Sequence, residues 1–397
     1  MSFLYTGGPE GARTILSTIA GSMITVTGVV FSITIVALTL ASSQFGPRLL
    51  RNFMQDRTNQ VVLGIFIATF VYCLLILQSV SSIEETIFVP NISVSFSVAL
   101  ALINVGVLIH FIHHISTSIQ AESVISSVNS EMLDNIQRLF PDEIGDEAED
   151  REKESEEQRS NQNWIENAYR IESKTHGYLQ AIDNEGLLEI AQENDLLIYL
   201  PHRPGEYIIK GNPLVLIEQS IESGGGVESS LINSFIIGPQ RTPEQDAEFT
   251  IHQLVEVALR ALSPGINDPF TAISCIDRLT SAICDLTHRA FPSPYRYDDD
   301  ESLRIIAKAV TFEGIIDAAF DQIRQYGESS VAVTIRLLEA LKTIADHSRV
   351  PEHKKVIYRQ AEMIVRTSKL SNHGEKDKDD IQDRYQALLH TLGVKVK

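Results

Sequence analysis

Charge vanishes for long stretches near the start of the chain and returns later. Between Arg13 and Arg48 there is no Asp, Glu, Lys or Arg. About 20 apolar residues cross a bilayer, so this run predicts a first transmembrane helix over about 12–45, with length to spare. Two shorter apolar runs predict further spans over about 61–80 and 94–115. Arg48, Arg51 and Arg57 lie between the first two spans, whereas Glu84 and Glu85 lie between the second and third with no Lys or Arg. Basic loops stay on the cytoplasmic side, so everything after the third span is expected in the cytoplasm and the N-terminus outside.

The first span carries a second pattern inside its apolar one. Thr14, Thr18, Gly21, Thr25, Gly28, Ser32, Thr39 and Ser42 recur at steps of three and four, with Ile35 filling the gap. That is a seven-residue repeat of small or hydroxylated side chains along one helix face. Two readings fit. Small residues let helices approach closely in lipid, or hydroxyls line a path for a solute at the centre of an oligomer. The loop FGPRLLRNFMQDR also has two readings. Arg48, Arg51 and Arg57 either anchor a short amphipathic segment at lipid phosphates or form a basic ring at a pore mouth. His110, His113 and His114 close the third span at helical spacing. They suit an interfacial cluster, or a metal site that lacks a sequence-adjacent carboxylate. Asn104, within the span, is expected to hydrogen-bond inside the bundle.

Beyond residue 120 the hydropathy falls. Residues 121–140 keep helical periodicity and predict a stalk. Residues 141–170 are dominated by acidic and polar residues and predict a solvated linker. Over 171–240 the period shortens to that of β-strands, with candidates at 178–182, 196–200, 207–209 and 214–217 and turns at Pro204-Gly205 and Gly211-Asn212-Pro213. This pattern resembles the barrel-sandwich hybrid of biotinyl and lipoyl carriers, without the lysine that those carriers modify. It implies a compact β module and no swinging-arm cofactor. Gly224-Gly225-Gly226 has no following Lys-Ser/Thr and so makes no phosphate loop.

From residue 241 onward the chain predicts a helical bundle. Thr242 and Pro243, with Gln245, read as the capped start of a helix running to about Leu262. Asp268 and Pro269 start the next one, and Asp277-Arg278 on that helix read as a structural pair. Later helices are expected near 301–326, 329–347, 352–369 and 379–392. On the first helix Glu248, His252, Glu256 and Arg260 fall four apart. They read as a salt-bridged face or as an acid–base or metal-binding ridge. Arg241, Asp246, Asn267, Asp268 and Thr271 are expected to gather near the two helix starts, as turn-locking hydrogen bonds or as an anion site.

Composition sharpens these expectations. The net charge is −19 over 397 residues, carried mostly by the part after the spans. No basic stripe is available for phosphates, which argues against nucleic acid. Three cysteines make no disulfide framework and fit a reducing compartment. The opening MSFLYTGGPEGAR lacks the basic and apolar regions of a cleavable signal peptide.

GARTILSTIAGSMITVTGVVFSITIVALTLASSQFGPRLLRNF and LVEVALRALSPGINDPFTAISCIDRL together resemble a family of bacterial predicted membrane proteins whose domain has no assigned function. The resemblance spans nearly the whole chain. Members of that family commonly carry one further span ahead of GGPEGAR, which this sequence is expected to lack, and the resemblance carries no catalytic residue, substrate or cofactor. The expected fold is multi-domain: an α-helical transmembrane bundle, then a cytoplasmic α+β part of small β module and helical bundle. The expected function is a self-associating channel, transporter or membrane-linked sensor of the bacterial inner membrane. Its partners would be the lipid bilayer and other copies of itself, with no cofactor implied. The alternatives are a membrane-tethered enzyme or metal-dependent protein using the Glu248/His252/Glu256 ridge, or a scaffold without small-molecule activity.

Overall fold

The computed structural model describes residues 5–46, 56–83, 86–140, 162–219, 225–371 and 373–394. Arg48, Arg51 and most of the expected acidic linker lie outside them. The chain divides into two compact units, Met1–Val124 and Ile125–Lys397.

The first unit is built from α1 (Pro9–Phe45), α2 (Arg57–Ser79) and α3 (Asn91–Ser118), with the short strands β1 (Ser81–Ile83) and β2 (Thr86–Phe88) between α2 and α3. All three helices are long and apolar enough to cross a membrane. Gly8 and Pro9 start α1, with proline at a position where no backbone donor is needed. Gly46, at φ 113°, ends it in a conformation that L side chains rarely adopt. The three helices pack pairwise on one another. Two apolar clusters stack along the bundle: Met23, Val30, Phe66 and Phe111 in one, and Leu16, Cys73 and Val94 in the other.

The next helix, α4 (Ala121–Leu139), is separated from α3 by a break at Ile119–Gln120, and from Ile125 onward it belongs to the second unit. Within that unit Arg289 donates to the Phe140 carbonyl at 2.7 Å and the Phe140 and Phe291 rings meet edge-on at 5.1 Å. After a 3-10 turn at Gln162–Asn167 come β3 (Tyr169–Glu172), β4 (Gly177–Ile182), α5 (Asn184–Glu193), β5 (Ile198–Leu200), β6 (Tyr207–Ile208), β7 (Pro213–Ile217), α6 (Gly226–Asn233) and β8 (Phe235–Gly238). Then follow α7 (Phe249–Ala261), α8 (Pro269–Leu286), β9 (Tyr295–Tyr297), β10 (Leu303–Ala307), α9 (Phe312–Tyr326), α10 (Val331–His347), α11 (Pro351–Leu370) and α12 (Glu375–Leu392).

Among the described residues the strands of this unit form two sheets, ordered β3-β7-β5-β10-β9 and β6-β4-β8. They enclose one apolar core with α5 and α6, including Leu179, Leu187, Ile198, Val215, Leu231 and Ile305. β10 lies parallel to β5, with Ile305 opposite Ile198. The larger sheet therefore takes two strands from beyond residue 290, and residues 171–240 do not make a self-contained β module. A helix was expected over 301–326; instead Leu303–Ala307 is a strand and the helix starts at Phe312, capped by Thr311 through the Gly314 amide. The helix expected to start at Thr242 begins at Phe249. Gln245 does not close a capping box: its amide bonds both the N–H and the C=O of Ile182 on β4, at 2.9 and 3.0 Å. Pairing with that strand end satisfies two backbone groups and holds the segment out of the helix.

Helices α7 to α12 pack as a bundle in which α7 contacts α8 and α9, and α10 contacts α8 and α12. Asp277 reaches across to Arg336 on α10 at 2.5 Å.

Candidate functional site

On α1 the buried residues are Ala12, Leu16, Ala20, Met23, Val30, Ala37, Ala41 and Phe45. The small and hydroxylated repeat occupies the other side. Thr14, Thr18, Gly21, Thr25, Gly28, Ser32 and Thr39 are exposed and Ser42 is half-buried. At 3.6 residues per turn the repeat centres about half a turn from the packed face. Large side chains flank it, among them Ile24, Phe31 and Leu40, all exposed. The hydroxyls are held in one orientation. Thr18, Thr25, Ser32 and Thr39 donate to the carbonyls of Thr14, Gly21, Gly28 and Ile35 at 2.7–2.9 Å. Their protons thus point into the helix and their lone pairs are left outward.

Inside the bundle Asn104 is 1% exposed, and its amide donates to Thr69 Oγ1 at 2.9 Å and to the Met23 sulfur at 3.2 Å. One side chain thereby ties α3 to α2 and α1. The carboxylate absent from the sequence around the histidines is supplied by Asp56. Its Oδ2 lies 2.6 Å from His114 Nε2, while Oδ1 accepts from the Thr58 amide and caps α2. The His110 ring stacks over His114 at 6.3 Å. Among the described residues no group of three or more His, Cys, Asp or Glu side chains is placed to hold a metal. Arg57 is the first residue of α2.

In the second unit the residues expected to gather near two helix starts divide between the two ends of α7. At its start Arg241 grips Asp246 at 2.6 Å, and Asp246 is almost wholly buried. Arg241 also donates to His252 Nδ1 at 2.9 Å, which leaves the ring proton on Nε2. Glu248 is the N-cap residue of α7, and its carbonyl accepts from the His252 amide at 2.9 Å. Its carboxylate meets Arg203, from the β5–β6 connection, at 2.6 Å. Glu206 on that connection bridges His202 at 3.0 Å and Lys308 at 2.6 Å. Burial raises the Glu206 carboxyl, but the His202 and Lys308 hydrogen bonds prevail and bring it down to about 2. Gly205, at φ 94°, passes so close to Asp246 that a Cβ there would lie 2.4 Å from Oδ2.

Asn267, Asp268 and Thr271 sit at the far end of α7, about 20 Å away by helix rise. Asn267 is left-handed at φ 49°. Asp268 caps α8 by accepting from the Phe270 and Thr271 amides and from Thr271 Oγ1. Arg260 and Glu256 pair at 3.4 Å, one turn apart on α7. Along Glu248, His252 and Glu256 the partners are thus Arg203, Arg241 and Arg260 in turn. Lys308, Glu206, Arg203 and Glu248 form a run of ion pairs beside the Arg241–Asp246 pair, and together they clasp sheet to helix. His202, Arg203, Glu206 and Lys308 escaped the sequence reading. The charges flanking the Pro204-Gly205 turn were their signal, but nothing in sequence joined that turn to residues 40 positions later.

Residues 1–343 match the family described as Predicted membrane protein (DUF2254). An uncharacterized protein of Mycobacterium tuberculosis (strain H37Rv) is 32% identical over 380 residues, covering 94% of this chain and 71% of its own. An uncharacterized protein of Mycobacterium bovis matches to the same extent, at 32% over 380 residues. No solved structure matches the chain significantly.

Proposed function

The chain belongs to the Predicted membrane protein (DUF2254) family, and on that premise we propose that it self-associates in the bacterial cytoplasmic membrane through the small-residue face of α1. The assembly acts as a channel, transporter or membrane-linked sensor, and the unit after α3 lies in the cytoplasm. One observation carries the reading. The side of α1 turned away from α2 and α3 is the side with the repeat of Thr, Ser and Gly, flanked by large apolar residues. A helix with only lipid on that side has no use for such a repeat, whereas a second copy of α1 could approach closely along it. The outward lone pairs of Thr25, Ser32 and Thr39 would then line the contact with acceptors, which suits water or a cation on a symmetry axis. The arginines between the first two spans support the orientation.

Disulfide trapping in native membranes tests the contact. In a chain with Cys73, Cys275 and Cys284 replaced by alanine, Thr25→Cys and Ser32→Cys should give oxidised dimers. Val30→Cys, on the packed face, should not. Monomers at all three positions would remove the proposal. Planar-bilayer recording of the purified protein then tests transport, with Thr25→Leu and Ser32→Leu expected to abolish any conductance.

A further inference from the structure

A groove of about 530 Å³ runs along the outside of the first unit between α2 and α3. Its floor and walls are apolar, from Val61, Ile65 and Ile103, with Gly106 leaving room where other residues would project a side chain. A Cβ built on Gly106 meets nothing within 4 Å, so the glycine opens the groove and is not demanded by close packing. Val61 and Ile103 are each 58% exposed. At one end stand Arg57 and His110. Arg57 has no ion pair among the described residues. Asp56, the acid beside it, is occupied by His114 and the Thr58 amide. From Arg57 to Ile65 the helix rises about 12 Å, close to the ~15 Å depth of one hydrocarbon leaflet.

We propose that this groove is a binding site for an anionic phospholipid. The headgroup phosphate sits against the Arg57 guanidinium and His110, and one acyl chain lies along Val61, Ile65 and Ile103. The occupant follows from two features that coincide at one place. A cation at a helix end with no ion pair among the described residues attracts a phosphate, and an open apolar trough about one leaflet deep fits a chain but not a soluble anion. A zwitterionic lipid offers the same chain but carries its own cation beside the phosphate, so the site discriminates by headgroup charge. This surface is formed by α2 and α3, so the proposal does not depend on self-association through α1.

Native mass spectrometry of the full chain, released from mixed phosphatidylglycerol and phosphatidylcholine vesicles, tests it. The wild type should retain one phosphatidylglycerol per protomer in preference to phosphatidylcholine. Arg57→Ala should cut that preference roughly fivefold, and Arg57→Lys should keep most of it. Gly106→Leu, which fills the trough, should reduce retention of both lipids. Lys355→Ala, an exposed lysine on α11, should change nothing. Added glycerol 3-phosphate, a headgroup without chains, should not displace the lipid. Equal retention of the two lipids by the wild type, or unchanged preference in Arg57→Ala, overturns the proposal. Should Gly106→Leu fail to fold, the Arg57 pair of variants decides by itself.

Discussion

At the scale of single residues, two buried polar side chains make opposite demands. Asn104 holds three membrane helices through Thr69 and Met23. Asn104→Leu should lower the stability of the detergent-solubilised protein by roughly 0.5–2 kcal/mol, read as a lower midpoint in denaturation by SDS. An unchanged midpoint would mean that the amide contributes nothing net. His353, at the start of α11, stacks on Phe312 at 3.7 Å and meets Ser348 Oγ at 2.9 Å. Burial pushes its imidazole down to about 4. Between that value and the ordinary ~6.5 the unfolded chain binds a proton that the folded chain refuses. The contribution to stability is therefore complete above about pH 6.5 and is lost as the pH falls toward 4, by up to about 3 kcal/mol. His353→Phe should flatten this part of the stability–pH curve in urea titrations. Of these two, the role of Asn104 could be read from sequence, because an amide amid apolar residues has few other places to go. The His114–Asp56 contact could not, since 58 positions separate the partners and only the antiparallel packing of α2 and α3 brings them together.

At the scale of elements, the α7–α8 turn was the most legible feature and the start of α7 the least. Asp268 followed by Pro269 is a local instruction: the carboxylate takes the two first amides and proline fills the position that needs no donor. Asp268→Ala should cost about 1 kcal/mol, measured as a fall in thermal midpoint. Asn267→Val should also lower the midpoint, because a β-branched residue resists φ near 49°. Asn267→Gly should be neutral. Thr242-Pro243 carries the same local instruction, yet the helix waits until Phe249. There Gln245 finds Ile182, and Asp246 finds Arg241 and the bare backbone of Gly205. A long-range set of hydrogen bonds outweighs a local cap worth about 1 kcal/mol. Gly205→Ala should reveal that set: the new methyl meets Asp246 and the φ of 94° disfavours it, so the thermal midpoint should fall by more than it does for Asp268→Ala. Equal or smaller loss would show that the clasp between the β5–β6 turn and α7 is slack. The strand β10 was hidden for a related reason. Leu303, Ile305 and Ile306 fit a helix as well as a strand over so short a run, and the Thr311 cap behind them was masked by the apolar periodicity on both sides.

At the scale of the molecule, the three apolar helices were legible because a bilayer imposes a length and a charge rule that a sequence displays directly. The organisation of the second unit was not, because it depends on a parallel strand pairing across more than 100 residues. β5 ends at Leu200 and β10 begins at Leu303, and a helical hairpin is folded between them. Parallel neighbours require such a crossover, and no turn motif announces it. The consequence can be tested by cutting the chain in two ways. Without β10 the strand β5 loses one of its two neighbours, Ile305 leaves the shared core, and the contacts of Arg304 with Asp195 and of Lys308 with Glu206, both 2.6 Å, disappear. Residues 125–397 produced alone should unfold cooperatively on heating, followed by circular dichroism. Residues 125–240 should show no cooperative transition and poor amide dispersion in NMR spectra. The comparison separates two architectures, because a β module complete by residue 240 would melt cooperatively by itself, whereas a sheet finished by β10 cannot close its core until the chain has passed through α7 and α8.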